Sequence, residues 1–359
     1  MKNIYGRIRR VREKFLEKEI DALFLTSSVN VSYFSGFTGD DSYLLITYRE
    51  VYFISDPRYE IQAEEELPED FKKLIFFQEK QKNLVEFLKS QKIKNLGIEE
   101  KRITYANYKL LKDAEVVGKI IPSEEIIDNL RIIKDREELL LIKDAISISQ
   151  KAMDKVFKEI VPGISEREIA AKFSYLLRLY GAQKESFDTI VGSGPRGSLP
   201  HGLPTDKIIT ESDVTVIDFG VYKNSYNSDM TRTIKFGKPS LLEKEIFEIV
   251  KEAQERAISL VKPGIKAKEL DKIARDYIIS KGYGSYFKHG LGHGVGMEVH
   301  ESPYISPTSE IALSPGMIIT IEPGIYLPGK FGVRIEDMVA VTRSGGEVLT
   351  SMNKNLNYI

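Results

Sequence analysis
A faint internal duplication constrains the fold of this chain more than any other feature. Pro162-Gly163-Ile164 is followed by Glu168-Ile169 and later by Gly181. Pro263-Gly264-Ile265 is followed by Glu269-Leu270 and later by Gly282, each match 101 residues further on. Two apolar runs echo each other as well. Ile217-Asp218-Phe219-Gly220-Val221-Tyr222 resembles Ile321-Glu322-Pro323-Gly324-Ile325-Tyr326, at an offset of 104. Each copy reads as helix, Pro-Gly turn, helix, glycine stop, then strands. Two copies of this length are too few and too long for a solenoid. The pattern predicts an α+β domain with internal pseudo-twofold symmetry.

The chain has 359 residues, enough for about two domains. Residues 1–122 read as a smaller α/β domain and 123–359 as the duplicated one. In the first, Ile8 to Lys18 has helical character and Ala22 to Leu25 is a short apolar strand. Tyr43 to Ile46 and Val51 to Ile54 flank a charged turn and predict a hairpin. Ile61–Glu66 and Asn83–Ser90 read as helices, and Asn95–Ile98 as a strand. The acidic run Glu64-Glu65-Glu66 reads as a solvated helix face. After Pro122, Asp135 with Glu138 three residues on predicts a capped helix start. Leu139, Ile142, Ile146, Met153 and Val156 form its core face, and it ends before Pro162-Gly163.

Composition narrows the classes. Net charge is -1, from 52 basic and 53 acidic residues, so no basic surface for nucleic acid is implied. No apolar run reaches the length of a membrane span. The charged N-terminus lacks the apolar stretch of a signal peptide, so the expected location is cytoplasmic. Cysteine is absent, which removes disulfides and thiolate chemistry.

The chemistry concentrates in the echoed strands. Asp218 and Glu322 each sit in an otherwise apolar run, where a carboxylate is costly unless paired, hydrogen-bonded or metal-bound. Each is followed by a second acid, Asp229 after 11 residues and Glu336 after 14. Those gaps suit hairpins that return the second acid beside the first. Aligning Asp229-Met230 with Asp337-Met338 nominates Asp337 in place of Glu336, and spacing alone leaves both open. Four clustered anions repel, and a divalent metal is the simplest compensation. Of four histidines, His201, His289, His293 and His300, three fall in the Gly-rich stretch 289–300. That stretch is too rich in glycine for a helix and predicts a strand or loop with close backbone approach. One histidine among oxygen ligands favours Mn²⁺ or Co²⁺. Arg196 reads as a solvated loop arginine.

Asp218, Asp229, His293, Glu322 and Glu336 resemble, in order and spacing, the five metal ligands of the Xaa-Pro peptidases, the aminopeptidase P and prolidase enzymes of the pita-bread metallopeptidase family. The flanking words resemble that family too: Val216 to Gly220, Ser228-Asp229-Met230-Thr231-Arg232, His289 to His293, Ile321 to Gly324, Arg334 to Asp337, and Phe187 to His201. So do Val31 to Gly39 and Asp56-Pro57-Arg58-Tyr59 in the first domain. The resemblance spans nearly the whole chain. It implies a creatinase-like N-terminal α/β domain and a pita-bread α+β catalytic domain. It also selects Glu336 over Asp337.

The same resemblance implies a dinuclear site with two divalent ions, Mn²⁺ or Co²⁺, acting on proline-containing peptides. Asp229 and Glu336 would bridge the ions, Asp218 would chelate one, and His293 and Glu322 would complete the other. Glu322 is the implied proton shuttle. His300 and His201 are implied to face the oxyanion and the proline side, and His289 a proton relay. Arg334 would orient a ligand carboxylate. The segment Phe187 to Gly194 favours an Xaa-Pro aminopeptidase over the alternative, an Xaa-Pro dipeptidase (prolidase). Five intact ligands argue against creatinase and against a non-catalytic peptide-binding homologue. A first domain argues against methionine aminopeptidase. The resemblance further implies a homodimer, with Tyr33, Phe34 and Phe37 as candidates to close a neighbour's pocket or to pack in their own domain.

Overall fold
The computed structural model describes residues 3–356. It divides into two compact units, Met1–Arg131 and Ile132–Ile359.

In the first unit, β1 (Ala22–Leu25), β2 (Tyr43–Thr47), β3 (Val51–Ser55), β4 (Lys72–Ile75), β5 (Asn95–Ile98) and β6 (Lys119–Pro122) form one mixed sheet ordered β4-β3-β2-β1-β5-β6. β2 and β3 make the expected antiparallel hairpin, with Leu44 opposite Phe53. Helices α1 (Ile4–Glu13), α2 (Ser28–Ser35), α3 (Glu60–Glu66), α4 (Lys80–Ser90), α5 (Tyr105–Asp113) and α6 (Glu124–Arg131) complete it.

Two expectations need correction here, and a third, left open between two alternatives, is decided. The first helix starts at Ile4 and stops at Glu13. The chain then turns, with Ile20 N–H on Phe15 C=O at 3.0 Å, so that both side chains are buried. The division between units lies after Arg131, not after Pro122. Pro122 pairs in register with Ile98, and α6 stays with the first unit, where Arg131 donates to Asn30 Oδ1 at 3.0 Å. Finally, Tyr33, Phe34 and Phe37 are all fully buried in their own unit. Tyr33 packs edge-on against Phe34, and Phe37 against Phe53 and Tyr59. Their apolar area already stabilises this core, which leaves none of them as a projecting lid.

The second unit opens on α7 (Arg136–Glu159), capped by Asp135, whose carboxylate accepts from Glu138 N–H while the Glu138 side chain returns to Asp135 N–H. Then come α8 (Glu166–Leu179), β7 (Lys184–Glu185), β8 (Ile190–Ser193), β9 (Val214–Phe219), β10 (Val221–Lys223), β11 (Tyr226–Asn227) and β12 (Met230–Lys235). The second half holds α9 (Leu241–Ser259), α10 (Ala267–Ser280), β13 (Gly292–Gly294), β14 (Glu301–Ile305), β15 (Ile318–Ile321), β16 (Gly324–Leu327), β17 (Phe331–Arg334), β18 (Asp337–Val341) and β19 (Gly346–Val348). Sheets run β12-β9-β8 in one half and β14-β13-β15-β18-β19 in the other. Each half has its own apolar cluster, one under α7 and α8, one under α9 and α10.

The duplication is visible in backbone hydrogen bonds. Gly163 N–H meets Ile209 C=O at 2.9 Å, and Gly264 N–H meets Leu313 C=O at 2.8 Å. Ile209 N–H returns to Ile164 C=O, as Leu313 N–H returns to Ile265 C=O, both at 2.8 Å. Both turn glycines are left-handed, at φ +100° and +87°. Nothing lies within 4 Å of where a Cβ would sit at either position, so the conformation alone selects glycine. Gly163→Ala and Gly264→Ala are therefore expected to destabilise the second unit equally, by about 1–2 kcal/mol each, read as parallel shifts of the denaturant midpoint. Unequal losses would mean that the two turns are not equivalent.

Candidate metal centre
The two halves place β9 with β12 and β15 with β18 as antiparallel pairs. Asp218 lies opposite Thr231, and Asp229 follows on the approach to β12. Glu322 and Glu336 flank the corresponding hairpin of the second half. The strands are joined between halves by side chains of a short zipper. Glu336 N–H donates to Thr231 C=O at 3.2 Å. Thr233 Oγ1 donates to Arg334 C=O at 2.8 Å and accepts from Arg334 N–H at 3.1 Å. Thr231 Oγ1 donates to Glu336 Oε2 at 2.7 Å and accepts from Arg334 Nε at 3.1 Å.

This zipper gathers the predicted ligands. Asp218, Asp229 and Glu336 offer oxygens within 4.8 Å of one another, and so do the ligating atoms of His293, Glu322 and Glu336. His293 Nε2 lies 3.3 Å from Glu322 Oε1 and 3.6 Å from Asp229 Oδ2. His293 comes from β13, where Gly292 lies so close to Thr320 C=O that a Cβ would sit 2.1 Å from it. The histidine N–H donates its backbone proton to Thr320 Oγ1 at 3.1 Å. Its Nδ1 faces Gly294 C=O at 3.1 Å, and a carbonyl only accepts. The neutral ring therefore carries its proton on Nδ1 and turns the Nε2 lone pair toward the carboxylates.

Asp337 faces the other side of β18. Its carboxylate is fully buried and meets Arg232 at 2.8 Å, Thr350 at 2.7 Å, Gln254 at 3.0 Å and Lys354 at 2.5 Å. Side chains alternate across a strand, so Glu336 and Asp337 cannot both face the cluster.

Electrostatics test whether cations fit. Asp218 Oδ1, Asp229 Oδ1 and Glu336 Oε1 are buried without a hydrogen-bond partner, although buried oxygens are nearly always satisfied. Burial, and then the neighbouring acids, push Asp229 and Glu336 well above the usual carboxylate range. Asp218 is also raised by burial, against the pull of Arg334. Glu322 behaves oppositely. Burial works to raise it, but the His293 hydrogen bond and charge hold it down to about 2. His293 is raised in turn: burial opposes its charge, and Glu322 favours it. Orphaned anionic oxygens around one imidazole lone pair fit hard divalent cations.

Arg334 anchors the surroundings. Its guanidinium donates to Asp218 Oδ2 at 2.6 Å, Tyr326 OH at 2.8 Å and Pro200 C=O at 3.1 Å. Tyr326 OH lies 3.0 Å from His289 Nε2. His289 Nδ1 faces Gly290 C=O at 2.8 Å, so its neutral form accepts the Tyr326 proton. Burial lowers the His289 pKa and pushes the Tyr326 hydroxyl up to about 12. The implied proton relay at His289 is thus a neutral ring locked at both nitrogens.

The cluster opens into a cavity of about 580 Å³. His201, His300 and Tyr304 line it with the apolar Phe187, Ile190 and Leu203. The His300 ring stands edge-on to His293 at 4.4 Å between centroids. Burial, then His293, lower its pKa.

Sequence reading missed three supports. Thr231 and Tyr326 lay inside quoted words but carried no chemical signal of their own. Glu166 was not singled out in the sequence at all. It is buried and accepts from Ser193 N–H and Oγ, Thr205 N–H and Oγ1, and Arg196 Nε at 2.9 Å. Arg196 also reaches Leu203 C=O, so it is a brace and not a solvated arginine. Together they fix the 193–205 segment that carries His201.

Two outcomes follow. Since Asp229, Glu336 and His293 have raised pKa values, the metal-free site retains protons that cation binding must expel. Titration calorimetry in buffers of different ionisation enthalpy is expected to show more than one proton released per protein at pH 6, which an ordinary histidine alone could not supply; release of less than one proton would contradict the raised values. Thr231→Val removes the proton that orients Glu336, and metal affinity is expected to fall about 10–100-fold, measured by competition with a chromogenic chelator.

Residues 141–343 match metallopeptidase family M24, and residues 7–133 match the creatinase/prolidase N-terminal domain. The chain is 45% identical over 348 residues to the Xaa-Pro dipeptidase of Pyrococcus furiosus, covering 96% of this chain and 97% of that protein. Its structure is similar to an Xaa-Pro dipeptidase from Bacillus anthracis, with a TM-score of 0.95, 40% identity and 99% of both chains covered. It is also similar to an X-Pro aminopeptidase from Thermotoga maritima, with a TM-score of 0.89, 39% identity, and 96% and 99% covered. Among the described residues no helix is long and apolar enough to cross a membrane. A buried carboxylate cluster with unsatisfied oxygens, on a duplicated scaffold that matches along almost its whole length, places this chain in metallopeptidase family M24, as a hydrolase with a creatinase/prolidase N-terminal domain.

Proposed function
We propose that the protein is an Xaa-Pro dipeptidase, which hydrolyses the bond between a residue and a C-terminal proline. Relatives named dipeptidase or prolidase, from both archaea and Bacillus, favour this over the aminopeptidase first expected from the Phe187 to Gly194 segment. The carrying observation is the set of orphaned oxygens on Asp218, Asp229 and Glu336 beside His293 and Glu322.

Asp218, Asp229, His293, Glu322 and Glu336 would hold two divalent ions, Mn²⁺ or Co²⁺ by ligand chemistry. When bound, such ions lower the pKa of water and polarise the scissile carbonyl. The remaining work falls to the chain. Glu322 borders the cavity and accepts from Thr320 Oγ1 at 3.2 Å, so its oxygens keep a fixed direction. It takes the proton of the attacking water and delivers it to the departing proline nitrogen. That delivery is obligatory, because without it the proline nitrogen would have to leave as a strongly basic anion. His300, on the cavity wall beside His293, donates toward the oxygen on which charge develops. Arg334 cannot turn to substrate, since Asp218, Tyr326 and Pro200 occupy it. Among the described residues, the cavity wall contains no lysine and no second arginine. His201, Tyr304 and Ser306 are the donors left on that wall, and we assign to His201, on the segment braced by Glu166, the free carboxylate that distinguishes a dipeptide.

The test compares Xaa-Pro, Xaa-Pro-amide, Xaa-Pro-Yaa and Xaa-Ala with metal-stripped protein reloaded with Mn²⁺ or Co²⁺. Xaa-Pro is expected to exceed the others by about tenfold or more in kcat/KM. His201→Ala is expected to erase the preference for Xaa-Pro over its amide, and Asp229→Asn to abolish turnover. Dominant cleavage of Xaa-Pro-Yaa would restore the aminopeptidase reading.

A further inference from the structure
Lys134 and Glu301 form a buried ion pair that the mechanism above does not use. Lys134 Nζ lies 2.6 Å from Glu301 Oε1, with side chains 1% and 8% exposed. They are 167 residues apart in sequence. Burying two charges is expensive, and the expense is seldom repaid in stability. A buried pair of this kind more often fixes one arrangement of the chain around it.

What it fixes here is the loop between β13 and β14, which carries His300. Lys134 is rigid on its own stem. Its N–H donates to Gly316 C=O at 2.8 Å, and the next residue, Asp135, caps α7. Glu301 lies opposite Gly294 in the β13–β14 pairing, and its Oε2 faces Glu298 N–H at 3.4 Å. Gly296 packs so tightly on this carboxylate that a Cβ there would lie 2.4 Å from Oε1. From the other side, Asn227 Nδ2 holds Gly296 C=O at 3.1 Å and Met297 C=O at 3.0 Å. The loop is thus wrapped around the Glu301 carboxylate, and His300 is the adjacent residue. The placement of its ring against His293 depends on that backbone.

We propose that Lys134 and Glu301 are positioning residues for His300, holding the β13–β14 loop so that the imidazole faces the reacting carbonyl. The kinetic arm rests on the function proposed above; a spectroscopic arm does not. Lys134→Met keeps the bulk and removes the charge. It is expected to lower kcat on Xaa-Pro about 10–100-fold, the scale of a small misplacement, with KM within about twofold and metal content unchanged. In a His300→Ala background the same substitution is expected to change kcat by less than about twofold, since there is no imidazole left to misplace. With only four histidines, the imidazole ¹H–¹⁵N spectrum of the zinc-loaded protein is assignable by substitution. Lys134→Met is expected to move the His300 resonances and leave those of His289 in place. If Lys134→Met does not fold, Glu301→Gln removes the same charge contact from the other side, keeps an oxygen facing Lys134, and is read the same way. An undiminished loss in the His300→Ala background, or unmoved His300 resonances, would overturn the proposal. Failure of the unmodified protein to cleave any Xaa-Pro substrate would instead sink the dipeptidase reading, and the spectrum would still decide the positioning role.

Discussion
The structure depends on bringing Asp218, Asp229, Glu322 and Glu336 together in a buried place. Like charges at these separations in a poorly solvated interior repel by several kcal/mol. Burial first, and then this repulsion, raises the pKa values of Asp229 and Glu336. Nothing apolar could hold such a cluster. It is held by directional bonds: the Thr231–Thr233 strand against Arg334–Glu336, with each threonine hydroxyl both giving and receiving. The duplicated halves meet along this seam. The residues that join them are therefore the residues that set the site.

A second layer of buried carboxylates organises the mobile-looking parts of sequence into fixed geometry. Glu166 collects the backbone and hydroxyls of the 193–205 segment, and Glu301 does the same for the loop before His300. Each has a cation at hand, Arg196 or Lys134, and each braces a segment whose histidine lines the cavity. Loops usually position functional groups less firmly than strands do. A buried, multiply bonded acid is one way to give a loop the rigidity of a strand.

Much of this was legible in the sequence because the signals are local or periodic. The Asp135 capping box, the β2–β3 hairpin and the Pro-Gly turns each need only a few neighbouring residues. The offset between echoes also exposed the carboxylate pairs. Spacing failed at Glu336 against Asp337, because adjacent residues on a strand face opposite ways and only the partners decide. Arg232, Gln254, Thr350 and Lys354 claim Asp337, and three of these lie far from it in sequence or in the chain's last turn. Lys134 with Glu301 and Glu166 with Arg196 were hidden for the same reason. Their meaning arises from long-range contact, not from pattern. Tyr33, Phe34 and Phe37 were ambiguous because an aromatic suited to a lid is equally suited to a core.

The duplication also shows how a symmetric scaffold yields asymmetric chemistry. Asp218 and Glu322 are counterparts at the 104-residue offset, yet their environments differ in kind. Asp218 is bonded to a guanidinium that cannot lose its proton, and burial still leaves it raised. Glu322 faces an imidazole that can exchange one, and it is held ionised at about 2. The two positions started as equivalents on matching strands, and their partners separated them. A permanently charged partner makes Asp218 a fixed anchor. Glu322, which borders the open cavity and is bonded to no guanidinium among the described residues, is the carboxylate to which the reaction proposed above assigns the proton transfer. In a duplicated fold, then, the identity of the cation beside each acid is what separates two positions that match in sequence.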